Sequence, residues 1–399
     1  MNARVAPAGG HDWRLVAPLM IHCVFVQTLT GMLRVTTSYR VLELELPVVW
    51  LGAISAAFAI LPIFLAVFVG RYIDAGHDAR AAKMGSGLML AGAIGLRYYS
   101  PAGAPLLMFT VVLGIGHLLL MASQQMLCVR AAGDGDREAM FANFLIANGI
   151  GQGLGPFVVG WIGGDAKVPE TAPLFAIGLV VTALAFLISL ALPAAAPKPA
   201  SGGARRPAAV GDLMRIPGFL VSLIASVITI TAQDLIVIYL PLLGAERSID
   251  VSHIGMILAA RSAAAIVSRF FYSNLIAGLG RVPLTLWSMT LSGAAYAILG
   301  VLPSLPLMYG AAVALGLGLG AASTLSLTSV LDLAPPDARA TALSLRITGN
   351  RIGQVALPFL ASFVAAAAGA PGVFVAVGAS LVASAVSVRA VRGVGGDNY

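Results

Sequence analysis

Residues 48–70 read VVWLGAISAAFAILPIFLAVFVG, and none of them carries a charge. A helix needs about 20 apolar residues to cross the hydrocarbon core of a bilayer, so this stretch is long enough for one crossing. Similar apolar runs recur along the chain on both sides of it. The sequence therefore predicts an all-α integral membrane protein that crosses the bilayer many times.

The composition excludes a soluble protein. Hydrophobic residues make up 59% of the 399 residues and charged residues 10%, whereas charged residues make up about 25% of a soluble domain. Globular soluble enzymes, disordered chains and fibrous repeats are therefore excluded. The net charge of +7 would suggest nucleic-acid binding in a soluble chain. Here the charges lie in short loops, so we expect the lipid bilayer and no nucleic acid as a partner.

Hydropathy and helix-breaking residues predict twelve transmembrane helices. In the first half of the chain they cover residues 14–37, 48–70, 82–99, 104–130, 138–164 and 171–194. In the second half they cover residues 217–244, 251–276, 282–302, 306–333, 338–368 and 371–391. The first apolar run lacks a small-residue cleavage site after it, so we interpret it as a helix and not as a removed signal peptide.

The basic residues in the loops predict the orientation. With both termini inside, most of the 24 lysine and arginine residues fall on the inner side, which is the distribution typical of cytoplasmic loops. Residues 195–216 are rich in Pro, Gly, Ala and Arg and form a predicted cytoplasmic linker between halves at 1–194 and 217–399. The many Arg, Ala and Gly residues are typical of a GC-rich bacterium, so we expect the bacterial cytoplasmic (inner) membrane.

Two pairs of segments indicate an internal duplication. Residues 148–157, NGIGQGLGPF, and 350–359, NRIGQVALPF, share Asn, Ile, Gly, Gln, Pro and Phe at equal spacing. Residues 50–57, WLGAISAA, and 253–260, HIGMILAA, form the second pair. Tandem six-helix halves with a site at their interface are an architecture of secondary transporters.

The loop after the second predicted helix carries the motif of a known family. Residues 70–80, GRYIDAGHDAR, resemble the pattern Gly-x-x-x-Asp-Arg-x-Gly-Arg-Arg of the major facilitator superfamily (MFS). Gly70 and Asp74 match, whereas Ala75 replaces the Arg and His77 replaces the second Gly. With the twelve spans, the basic central loop and the duplication, the resemblance covers essentially the whole chain. It implies two pseudo-symmetric six-helix bundles.

The same resemblance implies a latch at the inner gate. Its residues would be Gly70, Asp74, Arg80 and Arg130, and Asp74 would meet Arg130 or the end of a neighbouring helix when the gate closes. The alternative interpretation is a solvated turn that carries its charges for orientation alone.

A second motif lies on the fifth predicted helix, at Gly151, Gly155, Pro156 and Gly160. It resembles the Gly-x-x-x-Gly-Pro-x-x-Gly-Gly signature of the superfamily's antiporters, with Val159 breaking the final pair. The resemblance implies export of the drug/proton antiporter type. Close helix packing, which small residues permit, would explain the glycines without any direction of transport.

Charged residues fall inside several predicted spans, where ionisable groups are costly and mark functional sites. Arg346 and Arg351 share the eleventh span, and the deeper Arg351 needs a partner that the sequence does not name. Asp234 is the acidic residue placed deepest in the hydrocarbon, and Arg261 lies at a similar depth across the next hairpin. Aligning the halves places Arg34 at the position equivalent to Asp234. We expect Asp234 to carry protons while Arg34 or Arg261 tunes it. The alternatives are a permanent structural ion pair, and an Arg34 that extends to the outer interface.

Neutral polar residues complete the predicted cavity. His117 lies near the middle of the fourth helix and can both titrate and bind a solute. The other substrate-cavity candidates are Gln27, Gln124, Gln125, Gln233, Ser323 and Thr324. Asn148 with Gln152, and Asn350 with Gln354, form i, i+4 pairs that we expect to hydrogen-bond across the seam between the halves, or to hold the bundle together.

These features predict a secondary transporter that moves a small organic solute by alternating access, most directly by proton-coupled efflux. An uptake symporter or facilitator of the same fold is one alternative, and a non-transporting receptor or scaffold is another. The chain carries no Gly-x-Ser-x-Gly, His-Glu-x-x-His or nucleotide-binding loop, so we expect no enzyme. Cys23, Cys128 and the histidines fit no metal spacing, and we expect no metal or cofactor. A monomer suffices for this mechanism.

Overall fold

Helices make up all the regular structure in the computed structural model, which describes residues 13–132, 137–193, 210–335 and 338–394. The first six long helices are α1 (Trp13–Glu43), α2 (Val49–Tyr72), α3 (Asp78–Tyr98), α4 (Gly103–Ala132), α5 (Arg137–Gly163) and α6 (Thr171–Leu190). The remaining ones are α7 (Val210–Met214), α8 (Phe219–Glu246), α9 (Val251–Phe270), α10 (Tyr272–Leu279), α11 (Arg281–Val301), α12 (Leu305–Leu333) and α13 (Arg339–Val394). Helices satisfy their own backbone hydrogen bonds, as a lipid environment requires.

Two helical stretches are long enough to cross a bilayer twice. Ten segments of the described residues are long and apolar enough to span a membrane, and two of them, Val49–Tyr98 and Thr341–Arg389, have 50 and 49 residues. A π-helical turn, Ile73–His77, interrupts the first, with Gly76 at φ 87°. Gly369, at φ 67°, interrupts the second. Both angles lie in the left-handed region that favours glycine. The described residues thus form between ten and twelve apolar helices.

The outer surface of the bundle is apolar. Large side chains such as Phe64, Phe68, Trp161 and Trp287 are each at least 65% exposed. Apolar surface on this scale is costly in water and favourable in lipid. The protein is a multi-pass integral membrane protein, as the composition predicted.

The helices pair in the same way in the two parts of the chain. In the N-terminal half, α1–α6, α1 packs against α5 and α3 against α4. In the C-terminal half, α8–α13, α8 packs against α13 and α11 against α12. The halves meet along α5 with α9 and along α2 with α13. Most of the predicted linker at 195–216 lies outside the described residues, and its described part contains the short α7.

The first helix is longer than its predicted span. α1 continues from residue 37 to Glu43, and Arg40 donates a hydrogen bond to Glu43 at 2.8 Å. Glu43 in turn accepts hydrogen bonds from Thr171 at the start of α6. Hydropathy predicts only the apolar part of a helix. The helix α1 continues beyond that part because its polar residues at the end make hydrogen bonds.

Candidate functional site

A cavity lies between the two halves near the middle of the bundle. It has about 960 Å³ of empty space, its open part included, and residues of α1, α2, α4, α5, α8, α9 and α13 line it. We call it the central cavity. The charged residues on its wall are Arg34, Asp234, Arg261 and Arg351. The expected residues His117, Gln27 and Gln233 also line it.

An ion pair joins the halves across the central cavity. Arg34 Nη1 of α1 lies 2.5 Å from Asp234 Oδ1 of α8. Gln354 Nε2 of α13 donates to Asp234 Oδ2 at 2.8 Å, and Arg351 Nη1 donates to Gln354 Oε1 at 3.1 Å. The side chains of Arg34 and Asp234 are 20% and 15% exposed, so the pair is largely withdrawn from solvent. Both carboxylate oxygens of Asp234 are therefore occupied.

Arg261 lies on the cavity wall without an ion-pair partner among the described residues. Arg261 is 5% exposed, and its Nη2 donates a hydrogen bond of 3.3 Å to Ser262 Oγ. Its Nε has no hydrogen-bond partner in the described part of the chain. The sequence places Asp234 and Arg261 at a similar depth across a hairpin, which would allow them to form an ion pair. In the structure, Asp234 bonds Arg34 and Gln354 instead.

His117 and two glutamines present further polar groups. The ring of His117 lies 5.2 Å from the ring of Phe58, and its Nε2 has no hydrogen-bond partner within the described ranges. Gln27 Nε2 donates to the sulfur of Met121 at 3.2 Å. Gln233 Nε2 likewise has no partner among the described residues. His117 and Gln233 therefore each present a polar nitrogen whose hydrogen bond is unmade among the described residues.

Two glutamines predicted for the cavity lie elsewhere. Gln124 is buried within the N-terminal half and bonds His22 Nδ1 at 3.2 Å, while His22 bonds Ser86 at 3.1 Å. Gln125 is exposed on the outer face of α4. Eight residues after His117, an α-helix has turned about 80° past two full turns, so Gln125 faces another direction. Neither residue lines the central cavity, so their part in binding a solute stays a prediction.

The hydroxyl candidates on α12 do not face the cavity either. Ser323 Oγ donates to Gly320 O at 2.9 Å, and Thr324 Oγ1 donates to the same oxygen at 3.4 Å. Neither residue lines the central cavity. Hydroxyls inside helices often bond their own backbone in this way.

Of the two predicted seam pairs, the one on α13 makes its hydrogen bonds within one half. Asn350 Oδ1 accepts a hydrogen bond of 3.1 Å from Ser226 Oγ, and Gln354 bonds Asp234, so both stay in the C-terminal half. Gln152 lines the central cavity. Asn148 is buried, and its Oδ1 has no partner in the described ranges.

A side chamber opens beside the central cavity in the N-terminal half. It has about 470 Å³ of empty space, its open part included, and only a small part of that space is wide enough for a water molecule. Leu33, Leu51, Ile54, Met89 and Leu113 form much of its wall. It shares four wall residues with the central cavity, which are Thr30, Arg34, Ser55 and Phe58. Several of its hydroxyls donate to backbone oxygens of their own helix, namely those of Thr30, Thr37, Ser38 and Thr110. The chamber is therefore largely apolar.

The motif after α2 has a different ion pair from the expected one. Arg130 Nη1 lies 2.8 Å from Asp78 Oδ1, and Arg130 also donates to the backbone oxygen of Pro193. Asp78 is 3% exposed and stands in the first turn of α3, where a negative charge is favourable. Asp74 and Arg80 are exposed, and within the described part of the chain no neighbour lies within 4 Å of a Cβ placed at Gly70. Arg130 therefore contacts Asp78 and not Asp74.

The glycines of α5 allow three helices to approach closely. A Cβ at Gly151 would lie 2.5 Å from the backbone oxygen of Val24, and one at Gly155 would collide with Thr28 O, both on α1. A Cβ at Gly160 would lie 2.9 Å from the Cα of Gly255 on α9. Pro156 follows Gly155 within the helix. The motif thus has a packing function that is independent of the direction of transport.

The halves are joined at one end of the cavity. Val251 N donates to Ala166 O at 2.9 Å, and Ser252 N donates to Gly164 O at 3.0 Å. Lys167 and Asp250 form an ion pair beside these bonds. We call these contacts between residues 164–167 and 250–252 the end closure.

Three residues of these sites escaped sequence reasoning. Phe58 sits in the same apolar run as the exposed Phe64 and Phe68, so nothing in the sequence separates it from them. Gln354 was expected at the seam, but its bond to Asp234 needs the fold. Asp78 is four residues after Asp74, one helical turn, and that spacing was the available signal.

The comparisons with known proteins agree with this architecture. The sequence profile of the Major Facilitator Superfamily matches residues 19–247 and 222–394. No curated protein matches the chain by sequence. The chain belongs to the Major Facilitator Superfamily, and it is a transporter of small solutes in that superfamily's fold.

Solved structures share the fold at low identity. A variant of the nucleoside transporter NupG has a TM-score of 0.82 at 14% identity, covering 94% of this chain and 99% of that one. A POT family transporter in complex with a thioalcohol-conjugated peptide has a TM-score of 0.77 at 13% identity, covering 95% and 96%. A bacterial homologue of the human lysosomal transporter Spinster, inward-facing and unoccupied, has a TM-score of 0.70 at 13% identity, covering 96% of each chain.

Proposed function

We propose that the protein is a proton-coupled secondary transporter of a small organic solute, with Asp234 as the proton carrier. The observation that carries the proposal is the Arg34–Asp234 ion pair, because it joins the two halves inside the central cavity. Ionisable groups at this depth are costly and are kept for proton or ion pathways. Protonation of Asp234 removes its charge, so it weakens the attraction between α1 and α8 and frees the guanidinium of Arg34.

The proposal includes the topology. Twelve crossings follow if the long stretches fold back at Gly76 and Gly369. The halves are 1–194 and 217–399, both termini face the cytoplasm, and the protein works as a monomer in the bacterial inner membrane. In this orientation the end closure is on the outer side. Alternating access then requires these contacts to break and contacts at the inner end to form.

The charges of the cavity favour symport over antiport. When Asp234 is protonated, the wall of the central cavity loses its one carboxylate charge and keeps its three arginines, so the proton and a negatively charged solute help each other to bind. Such co-binding is the arrangement of an uptake symporter. The efflux antiport that the α5 motif implied is the second candidate. It requires a solute that competes with the proton for Asp234, whose side chain is 15% exposed to the cavity.

Proton movement in proteoliposomes tests the carrier and the sign of coupling. Purified protein is reconstituted with a pH dye inside, and candidate solutes are added outside. Symport predicts acidification of the interior, and antiport predicts the opposite sign. The variant Asp234→Asn should abolish the protein-dependent signal, whereas Asp212→Asn, the same change at an exposed carboxylate of α7, should preserve it. An equal signal in Asp234→Asn and wild type would rule out Asp234 as the carrier.

A further inference from the structure

We infer that the solute is an organic anion with an apolar part, and that Arg261 and Arg351 bind its anionic group. This inference rests on the proposed function, since it names the solute class of the same cavity. It is carried by the charge balance of the cavity wall, by the hydrogen-bonding state of the wall residues and by the side chamber.

The wall of the central cavity has an excess of positive charge. Among the described lining residues there are three arginines, Arg34, Arg261 and Arg351, and one carboxylate, Asp234. Asp234 is paired with Arg34, so the guanidiniums of Arg261 and Arg351 have no carboxylate partner within the described ranges. An uncompensated charge away from water is costly. An anion bound between α9 and α13 would compensate it.

The hydrogen bonds of the cavity wall also favour an anionic ligand. Arginine carries five N–H donors and no acceptor. Arg261 makes one bond, to Ser262, and Arg351 makes one, to Gln354, among the residues that the structure describes. A ligand at this wall must therefore supply acceptor atoms. A carboxylate, sulfonate or phosphate group supplies two or more of them and matches the planar geometry of guanidinium.

Cationic and neutral solutes fit this wall less well. A cation would have to displace both Arg34 and Gln354 from the oxygens of Asp234. It would also lie among three guanidinium groups, where like charges repel. A neutral solute would leave the excess positive charge uncompensated.

The side chamber accounts for the apolar part. It adjoins the central cavity at Arg34 and Phe58, and its wall consists largely of apolar side chains. Burying an apolar group there gains about 25 cal/mol for each Å² removed from water. The inferred solute thus places its anionic group at α9 and α13 and a small apolar group towards the narrow chamber between α1, α2 and α4.

Ligand-induced thermal stabilisation of the purified protein in detergent tests the inference without any gradient. The probes are sets of three compounds with one shared tail, such as benzoate, benzamide and benzylamine, over a series of aliphatic and aromatic tails. The acids should raise the melting temperature more than their amides and amines. Asp234→Asn, which mimics the protonated carboxyl, should bind the acids at least as tightly as wild type.

Variants of the two arginines test whether Arg261 and Arg351 bind the anionic group of the solute. Arg261→Gln and Arg351→Gln should weaken binding of a stabilising acid by about 10-fold or more, the worth of a hydrogen bond to a charged group. Arg261→Lys keeps the charge and should retain part of the affinity, which separates lost binding from misfolding. Arg346→Gln is the matched control, because Arg346 is also on α13 and bonds Ser326 outside the central cavity.

Three results would overturn the inference: no acid stabilises the protein, amides or amines stabilise it as well as the acids do, or Arg261→Gln and Arg351→Gln both bind acids like wild type. The proposed function fails separately. If a neutral solute is carried with protons, the inference that the solute is an anion fails and the proposed function stands. If acids bind but no proton movement depends on Asp234, the proposed proton coupling fails and the inference about the solute stands.

Discussion

Asp234 lies between the guanidinium of Arg34 and the amide of Gln354. Its negative charge balances the arginines of the cavity wall, in addition to the proton that we propose it carries. Its oxygens accept from Arg34 and Gln354, while Arg261 and Arg351 stand on the same cavity wall. Removing the carboxylate leaves three guanidiniums together, but removing Arg34 leaves Asp234 with other cations to compensate it. The two halves of this ion pair are therefore not equivalent.

We predict that Asp234→Asn lowers the unfolding free energy of the empty protein by up to about 3 kcal/mol, and Arg34→Gln by less. The double variant should cost less than the sum of the single ones, because the partners interact directly. Thermal unfolding of the purified variants measures this. A larger loss in Arg34→Gln, or strictly additive losses, would contradict the charge balance derived for the cavity.

The motif after α2 makes a second prediction at single residues. Asp78→Asn should destabilise the protein by about 1–3 kcal/mol, because Asp78 is buried and accepts two hydrogen bonds from Arg130. Asp74→Asn, the same change at the exposed family position, should cost less than about 0.5 kcal/mol. Melting temperatures of the two variants decide this, and equal losses would count against the Asp78 pair.

Sequence reasoning reached the charges of the site but not all of their partners. Arg34, Asp234, Arg261 and His117 were found because ionisable residues are rare in apolar runs, and all four line the central cavity. The arginine that pairs with Asp234 is determined by how the two halves pack together. The hairpin between α8 and α9 indicates only that Asp234 and Arg261 lie at a similar depth, so the sequence could not identify Arg34 as the partner. Gln125 does not line the central cavity, because eight residues after His117 the helix has turned about 80° past two full turns.

Among the helices, α5 and α9 approach each other so closely that their contact depends on small residues. Gly160 and Gly255 face each other, and a Cβ at Gly255 would lie 2.5 Å from the backbone oxygen of Pro156. Small residues at such a crossing let the backbones touch, so dispersion forces hold the helices together in lipid.

We therefore predict that Gly160→Leu destabilises the protein by about 1–3 kcal/mol or more, since the added atoms force the halves apart. Gly310→Leu on α12 is the matched control, because nothing lies within 4 Å of a Cβ there. The measurement is thermal unfolding together with solute uptake into proteoliposomes. Unchanged stability in Gly160→Leu would show that this crossing is looser than described.

Helices were predictable where apolar composition alone decides them. The apolar runs of α4, α6 and α12 were located within a few residues of their observed bounds. The C-terminal end of α1 and the start of α3 were missed, because polar contacts and a π-helical turn set them. Gly76 and Gly369 interrupt the helices where span boundaries were expected at residues 70–82 and 368–371.

At the scale of the whole molecule, the end closure ties the two halves at one mouth of the cavity. If transport requires the halves to separate there, a covalent link between Ala166 and Val251 must stop it. Ala166→Cys with Val251→Cys should lose transport on oxidation and recover it with a reductant. Glu43→Cys with Thr171→Cys, which links α1 to α6 within one half, should transport when oxidised. Continued transport by the oxidised Ala166/Val251 pair would contradict alternating access through this end.

The coupling of proton and solute at Asp234 is the central claim, and one paired transport measurement tests it most directly. Proteoliposomes with wild type or Asp234→Asn are assayed for exchange of a labelled organic acid and for its accumulation against a gradient driven by a pH difference. We predict that Asp234→Asn keeps exchange and loses accumulation, because the cavity can still reorient but no longer carries the proton. Accumulation by Asp234→Asn at the wild-type level would contradict the account.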